Sequence, residues 1–168
     1  MNKNGVKIWI LRITLTLACL LVFAWIFSNS LQTGEESSSQ SVAVVDAVQR
    51  VVKVFAPNSS IANATGEAYA KLHEDIRVLA HFCEFALLGA LLVWCYRSYT
   101  SDKAFAFLPV VIVLLTPIVD ECLQTTTLGR GSELFDVFVD SLGGICGCAF
   151  AFITILIAWI IRKSKERK

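Results

Sequence analysis

The sequence predicts an all-α membrane protein, a single domain of residues 1–168 that forms a bundle of four transmembrane helices with both termini in the cytoplasm. Three observations lead to this class. First, 55% of the residues are hydrophobic and only 17% are charged. Second, the apolar residues form four runs of about 20, the length that crosses a hydrocarbon core about 30 Å thick. Third, lysine and arginine are distributed unevenly between the segments that separate those runs.

The four predicted spans cover approximately residues 8–28, 78–99, 105–122 and 137–161. Basic residues lie before the first span, between the second and third, and after the fourth: Lys3, Lys7, Arg97, Lys103, Arg162, Lys163, Lys165, Arg167 and Lys168. Since lysine and arginine accumulate on the cytoplasmic side of a membrane, these three segments are predicted to lie inside. The loops of residues 29–77 and 123–136 are then outside the cell.

The first span has a second interpretation, a secretory signal peptide. Lys3, Lys7 and Arg12 would form its charged region, and residues 28–30 loosely fit a small-x-small cleavage site. The apolar stretch is long for a signal peptide, so we predict an uncleaved anchor. The other three spans keep their topology in either case.

The long outer loop is predicted to contain one amphipathic helix, at about residues 42–56. Residues 32–41 before it are polar and are expected to be flexible. Asp46, Gln49, Arg50 and Lys53 then recur at helical spacing, which places them on one face with valines elsewhere. Such a helix is expected to lie on the outer membrane surface or to cap the bundle. Residues 57–60 end it, and a polar stretch of residues 63–75 leads into the second span.

Ionisable and polar side chains are gathered at the outer ends of the last three spans. A charged group inside a span costs about 2.5–3.5 kcal/mol on insertion scales, so it usually faces partners within the bundle. Helical spacing also places successive members of the set on common faces. We therefore expect the whole set to meet at one membrane depth: Arg77, His81, Glu84, Asp120, Glu121, Gln124, Arg130, Asp136 and Asp140.

Glycines accompany this polar set. Gly143 and Gly147 continue the stripe of Asp136 and Asp140 on the fourth span, and Gly89 follows Glu84 on the second. Small residues let neighbouring helices pack backbone to backbone in a membrane, so these glycines are predicted packing positions. Pro117 removes one backbone hydrogen bond just before Asp120, which predicts a kink in the third span.

The polar motifs, taken in chain order, resemble those of the VanZ-like membrane family. The matching strings are Arg77-x-x-Ala80-His81-Phe82-x-Glu84-Phe85, Asp120-Glu121-x-x-Gln124, Gly129-Arg130 and Asp136-Val137-x-x-Asp140, with Phe27-Ser28 and Gln32-x-Gly34-Glu35 resembling the opening motif. The chain has Leu128 where the family often has proline. The resemblance implies a multi-pass protein of the bacterial plasma membrane with a role in the cell envelope. It also implies an association with resistance to the glycopeptide antibiotic teicoplanin.

Several functions fit the polar cluster. The first is a site for membrane lipids, a lipid-linked envelope precursor or a lipoglycopeptide. In such a site Arg77 and Arg130 would hold phosphate or carboxylate, and the acids would exchange protons with His81. The cluster is a structural network if the charges only pair with one another. A metal site would use His81, Glu84 and other carboxylates, but a single histidine is thin support, so no metal or cofactor is assigned. A transport path is poorly supported because the charges do not continue into the cytoplasmic halves of the spans.

Other classes of site find no support in the sequence. The six cysteines, Cys19, Cys83, Cys95, Cys122, Cys146 and Cys148, lie in or beside apolar segments, where they are expected to be packing residues and not disulfides or zinc ligands. Basic residues flank the spans without forming a patch for nucleic acid. No serine or cysteine nucleophile and no phosphate-binding loop stands out, so an enzyme would depend on the acids and His81 alone.

Overall fold

The computed structural model describes residues 3–131 and 133–167, and every element in this part of the chain is helical. The helices are α1 (Lys3–Ser30), α2 (Gly34–Phe55), α3 (Glu67–Tyr99), α4 (Leu108–Gln124) and α5 (Leu134–Glu166). By length and composition, α1, α3 and α5 can each cross a membrane. The predicted all-α membrane class is therefore confirmed. Lys168 of the basic tail lies outside the described residues.

The polar run of residues 32–41 is not a flexible segment, and the prediction that α2 begins near residue 42 was wrong. Helix α2 begins at Gly34 because Thr33 and Glu36 form a capping box. The Thr33 side chain accepts the Glu36 N–H at 3.3 Å, and the Glu36 carboxylate accepts the Thr33 N–H at 3.0 Å. This second hydrogen bond also lowers the pKa of Glu36. The first helical turn is thus stabilised without any apolar residue.

Helix α3 begins at Glu67 and not near residue 78, where the predicted span begins. Hydropathy detects only the part of a helix that lipid tolerates, whereas Glu, Ala, Lys and Leu in residues 67–72 favour a helix in any solvent. Helix α4 begins later than predicted, at Leu108, after a turn of residues 103–107, and Pro109 lies in its first turn, where the missing N–H is not needed. Helix α5 extends the fourth predicted span at both ends, and α1 extends the first.

Helices α3 and α5 form the most extensive pair, and their backbones touch. A Cβ atom added to Gly143 would lie less than 3.0 Å from the Phe82 carbonyl oxygen, and one added to Gly147 less than 3.0 Å from that of Ala86. Further along, the Trp94 indole N–H donates to the Thr154 hydroxyl at 3.1 Å. Residue numbers rise together along both helices, so α3 and α5 run in the same direction.

Helix α1 runs antiparallel to α3. The Arg12 Nε–H donates to the Ser98 carbonyl at 2.9 Å, and the guanidinium lies 5.2 Å from the centre of the Tyr99 ring. At the other end, the Trp25 indole N–H donates to the Glu84 carboxylate at 2.9 Å. The one charge inside the apolar run of α1 therefore lies at the C-terminal end of α3, where the helix dipole favours a cation.

The bundle encloses a small core and exposes most of its apolar surface. One buried cluster contains Ile26, Phe85 and Leu88, and a second contains Ala90, Val93, Val113, Cys148 and Ala151. All six cysteines are free; Cys19 and Cys148 are buried, whereas Cys83, Cys122 and Cys146 are exposed and do not pack in the bundle. Large side chains such as Leu21 and Trp159 remain more than half exposed. Apolar surface of this extent is characteristic of helices that face lipid.

Helix α2 packs on the first half of α3 and on the turn that joins them. Val45 is fully buried, and the Gln49 side-chain amide donates to the carbonyls of Ile61 at 3.0 Å and Ala64 at 3.1 Å. The Tyr69 hydroxyl donates to Asp46 at 2.9 Å. The predicted polar stripe thus serves partly to attach α2, while Phe55 remains 84% exposed at its end.

Candidate functional site

The polar residues lie at one end of the bundle, here called the site end, where α1 and α4 finish, α5 begins, and residues 77–84 of α3 pass. Three side chains of α3 face three different partners there. The Arg77 guanidinium forms an ion pair with Asp136 of α5 at 3.2 Å. The His81 Nδ1 atom lies 3.9 Å from a carboxylate oxygen of Asp140. The Glu84 carboxylate faces α1 and accepts hydrogen bonds from Trp25 and Asn29.

Asp120 of α4 is 1% exposed and fully hydrogen-bonded. One carboxylate oxygen accepts the hydroxyl of Ser30 at the end of α1, and the other accepts the Gln124 side-chain amide at 2.8 Å. A buried carboxylate requires such donors, since leaving it without them costs several kcal/mol. Asp120 therefore joins α1 to α4 and is held in one orientation.

The loop between α4 and α5 is anchored at two points. The Glu121 carboxylate accepts the Glu133 N–H at 2.5 Å, which joins the end of α4 to the start of α5. The Gly34 N–H donates to the Leu128 carbonyl at 3.1 Å, which joins the loop to the start of α2. Gly129 follows with a φ of 77°, a left-handed conformation that glycine adopts without strain. Two sequence motifs that lie far apart in the chain, Gly34-Glu35 and Gly129-Arg130, thus meet.

Two cavities adjoin at the site end, beneath α2. The larger, about 270 Å³, has a mostly polar lining, and the smaller, about 150 Å³, adds apolar side chains of α1, α2 and α3. Both are lined by Ser37, Arg77, His81 and Arg130. The cavities and the two arginines therefore belong to one region, bounded by four helices (α1 to α4) and the loop.

Arg130 is half-buried, and no carboxylate among the described residues lies within ion-pair distance of it. Burial lowers the pKa of Arg130, and the neighbouring Arg77 guanidinium lowers it further, against the opposing effect of the acids around it. A guanidinium still stays protonated in proteins. The cavity thus has a positively charged wall that the protein itself only partly neutralises.

His81 and Asp140 are also incompletely paired. Asp140 is 3% exposed, and among the described residues its Oδ1 atom has no hydrogen-bond partner. The same holds for Nδ1 of His81, because 3.9 Å is too long for a hydrogen bond. Asp120 completes the group, since one ligand atom from each of His81, Asp120 and Asp140 lies within 4.8 Å of the others.

The structure divides the residues singled out in the sequence into three groups. The cavities are lined by Arg77, His81, Glu84, Gln124 and Arg130. Asp136 and Asp140 lie beside Arg77 and His81. Asp120 and Glu121 line neither cavity and bond to the end of α1 and to the start of α5. Sequence analysis overlooked the polar residues of α1 and α2: Trp25, Asn29, Ser30 and Ser37. The one sequence feature that could have identified them is their position in or next to the opening motif of residues 27–35.

Comparison with known proteins and protein families gives one match. One family model, described as VanZ/LLP1, matches residues 15–159. The match includes the site-end residues of α1, the whole of α2 to α4, and α5 beyond its glycines. No curated protein and no solved structure matches the chain.

Proposed function

Since the chain belongs to the VanZ/LLP1 family, we propose that it is a multi-pass protein of the bacterial plasma membrane that binds an anionic envelope lipid or lipidated compound. The head group occupies the cavities at the site end. Bound compounds include glycopeptides of the teicoplanin type, and their capture at the membrane surface contributes to resistance. The proposed activity is binding, without a chemical step.

The observation that carries this proposal is the pair of arginines on the cavity wall. Arg77 has one carboxylate partner, Asp136, whereas Arg130 has none among the described residues. Arginine binds phosphate and carboxylate through two parallel N–H donors, and such charge-assisted hydrogen bonds are among the strongest in proteins. An anion between the two guanidiniums would offset both their repulsion and the burial of Arg130.

The smaller cavity supports a ligand that is also apolar. Trp25, Val44 and Ile76 line it beside the polar residues, so one wall suits a head group and another suits a hydrocarbon chain. Trp25 is 59% exposed on the outer surface of α1, which continues toward the lipid-facing part of the bundle. A lipidated compound can thus place its charge in the cavity and its chain along α1.

Three carboxylates at the site end bond to other parts of the protein, as expected if the polar cluster is a structural network. Trp25 holds Glu84, Ser30 holds Asp120, and the Glu133 N–H holds Glu121. These carboxylates join helices to one another and to the loop. Fewer of the predicted site residues are therefore available to contact a ligand than the sequence indicated. Replacement of Arg130 is the test that distinguishes a binding site from a structural network.

The experiment replaces Arg130 by glutamine and measures binding of teicoplanin and of a polyprenyl phosphate to the purified protein in lipid nanodiscs. A hydrogen bond to a charged group contributes about 1.5–3 kcal/mol, so affinity for the bound probe should fall tenfold or more. Teicoplanin protection should fall in parallel in cells that carry the variant as their only copy. The Tm of the variant should stay close to that of the parent, because no described contact of Arg130 holds the fold.

Arg50→Gln is the matched control, because Arg50 lies exposed on α2 outside both cavities and, within the described part of the chain, bonds only to the Asp46 carbonyl. It should retain binding and protection. Equal binding by Arg130→Gln and Arg50→Gln would reject the anion site. A fall in Tm that matches the loss of protection would assign Arg130 to the scaffold.

For the topology we propose four spans, in which α4 crosses the membrane in addition to α1, α3 and α5, and both termini lie in the cytoplasm. Helix α4 has 17 residues, so it reaches about 25 Å at 1.5 Å per residue, which nearly crosses the hydrocarbon core. It packs against α1, α3 and α5. The shared direction of α3 and α5 agrees with a return through α4. Basic segments then lie inside, and the site end faces outward.

Cysteine labelling tests this topology. In a background from which the six native cysteines are removed, Ser60→Cys lies in the turn after α2 and Ser164→Cys near the end of α5. An impermeant maleimide should label the former in intact cells and both after permeabilisation. Labelling of Ser164→Cys alone in intact cells would reverse the orientation.

A further inference from the structure

We propose that His81, Asp120 and Asp140 bind a divalent metal ion. These residues come from three helices, α3, α4 and α5, and meet in the interior of the site end. One ligand atom of each lies within 4.8 Å of the other two, and both aspartates are at least 97% buried, with exposures of 1% and 3%. An imidazole nitrogen and two carboxylate oxygens are ordinary ligands of divalent metals in proteins.

The unpaired atoms are the observation that points to a ligand. Nδ1 of His81 and Oδ1 of Asp140 have no hydrogen-bond partner among the described residues. Buried side-chain polar atoms nearly always have a partner, and one that lacks it calls for an explanation such as a missing ion. One ligand atom of each of these two residues also lies within 4.8 Å of one of Asp120, so a single ion between the three residues would serve both.

Asp120 is already oriented for metal binding. Ser30 donates to one carboxylate oxygen and Gln124 to the other. Each oxygen of a carboxylate has a further lone pair, so neither hydrogen bond prevents coordination. Hydrogen bonds from such neighbours orient the ligand residues in known metal sites, and their loss weakens binding.

The distances agree with this assignment if the side chains move toward the ion. Zinc binds nitrogen and carboxylate oxygen at about 2.0–2.2 Å in tetrahedral geometry, so two ligand atoms on one ion lie about 3.3–3.6 Å apart. The 3.9 Å between His81 Nδ1 and Asp140 Oδ2 exceeds that spacing by a few tenths of an ångström. The widest separation, up to 4.8 Å, must shorten by roughly 1 Å, which rotations of the three side chains provide.

The charge of the site end supports a cation at this point. Six carboxylates lie at the site end with only two guanidiniums, those of Arg77 and Arg130; the carboxylates are those of Glu84, Asp120, Glu121, Glu133, Asp136 and Asp140. Among the described residues only Asp136 has an arginine partner. A divalent ion between Asp120 and Asp140 would remove the repulsion between two buried carboxylates.

The ligand set selects the class of metal. Calcium and magnesium take oxygen ligands, so an imidazole favours a transition metal, and two carboxylates favour zinc or manganese over copper. Three protein ligands leave at least one position open. Because His81 also lines both cavities, that position is next to the space proposed for the anionic head group. Metal binding itself does not depend on the proposed function.

The test measures metal on the purified protein in nanodiscs, with a purification tag that contains no histidine. The protein is stripped with chelator, incubated with Zn²⁺ or Mn²⁺, and dialysed, and bound metal is then counted by mass spectrometry. We expect about one ion per chain and a Tm that rises with metal concentration, because an ion that binds only the folded state stabilises it.

Asp140→Asn and His81→Gln should bind almost no metal. Asp140→Asn should remain folded in chelator, because it keeps the shape of the side chain and removes a buried charge. The matched controls are Asp75→Asn, which lies exposed on α3, and His73→Gln, which changes the only other histidine. Both should bind metal as the parent does.

A parent protein that binds no more metal than Asp140→Asn would overturn the proposal. The proposal would also be overturned if Asp75→Asn lost as much metal as Asp140→Asn, because binding would then be non-specific. Arg130→Gln separates this proposal from the proposed function. If it loses the anion and keeps the metal, the metal site stands. If the parent binds the anion but no metal, only the metal site fails.

Discussion

Replacement of Gly147 by leucine is expected to prevent α3 from packing on α5 and so to unfold the bundle. A Cβ atom at this position would lie less than 3.0 Å from the carbonyl oxygen, carbonyl carbon and Cα of Ala86. All three are backbone atoms, which cannot rotate away as a side chain does. In lipid the hydrophobic effect does not drive helices together, so close packing carries much of the association. Separation of the backbones would remove that packing.

Overpacking a core typically costs about 1–3 kcal/mol, and we expect Gly147→Leu to reach or exceed the upper end. Thermal unfolding followed by size-exclusion chromatography in detergent is the measurement. Ala149→Leu is the matched control, since it adds the same side chain to an exposed position two residues away. A Tm for Gly147→Leu equal to that of Ala149→Leu would show that the helices do not touch at this point.

Replacement of Gly34 by valine is expected to abolish anion binding while the bundle stays folded. A side chain at Gly34 would collide with the carbonyl oxygen of Gly129, and the Gly34 N–H holds the carbonyl of Leu128. Valine would therefore push the loop away from the start of α2. Arg130 directly follows Gly129, so its guanidinium would leave the cavity together with the loop.

We expect a tenfold or greater loss of affinity for the probe that the parent binds, as for Arg130→Gln, because the same charge-assisted hydrogen bonds disappear. The Tm should change little, since α1, α3, α4 and α5 keep their contacts. Ser39→Val introduces the same side chain on an exposed part of α2 outside both cavities and should bind normally. Full binding by Gly34→Val would show that the loop does not position Arg130.

The grouping of the polar residues at one end of the bundle was predictable from the sequence, but their internal pairing was not. Arg77, His81 and Glu84 recur at helical spacing, which places them on one face of a helix. Which neighbour each one meets depends on the rotation of the other helices about their own axes. A single sequence does not contain that rotation, so it did not predict that Glu84 bonds to Trp25 and Asn29 of α1. The grouping of His81 with Asp120 was beyond prediction for the same reason.

The start of α2 was predicted wrongly for a different reason. Thr33 and Glu36 have the spacing of a capping box, so the signal for a helix at Gly34 was present in the sequence. Hydropathy and polar composition indicated a flexible segment, and those criteria do not detect hydrogen bonds at a helix end. The reliance on hydropathy also made the predicted span for α3 too short, because the first turns of this helix are polar but favour a helix.

The glycine contact between α3 and α5 also determines their axial register. Gly143 lies opposite Phe82, and Gly147 lies opposite Ala86. If α5 slid by one turn in one direction, Val139 would take the place of Gly143, and in the other direction Ala151 would take the place of Gly147. Either side chain would meet a backbone carbonyl, so only one offset is allowed. Asp136 and Asp140 each precede a glycine of this pair by two turns, and that single offset brings them level with Arg77 and His81.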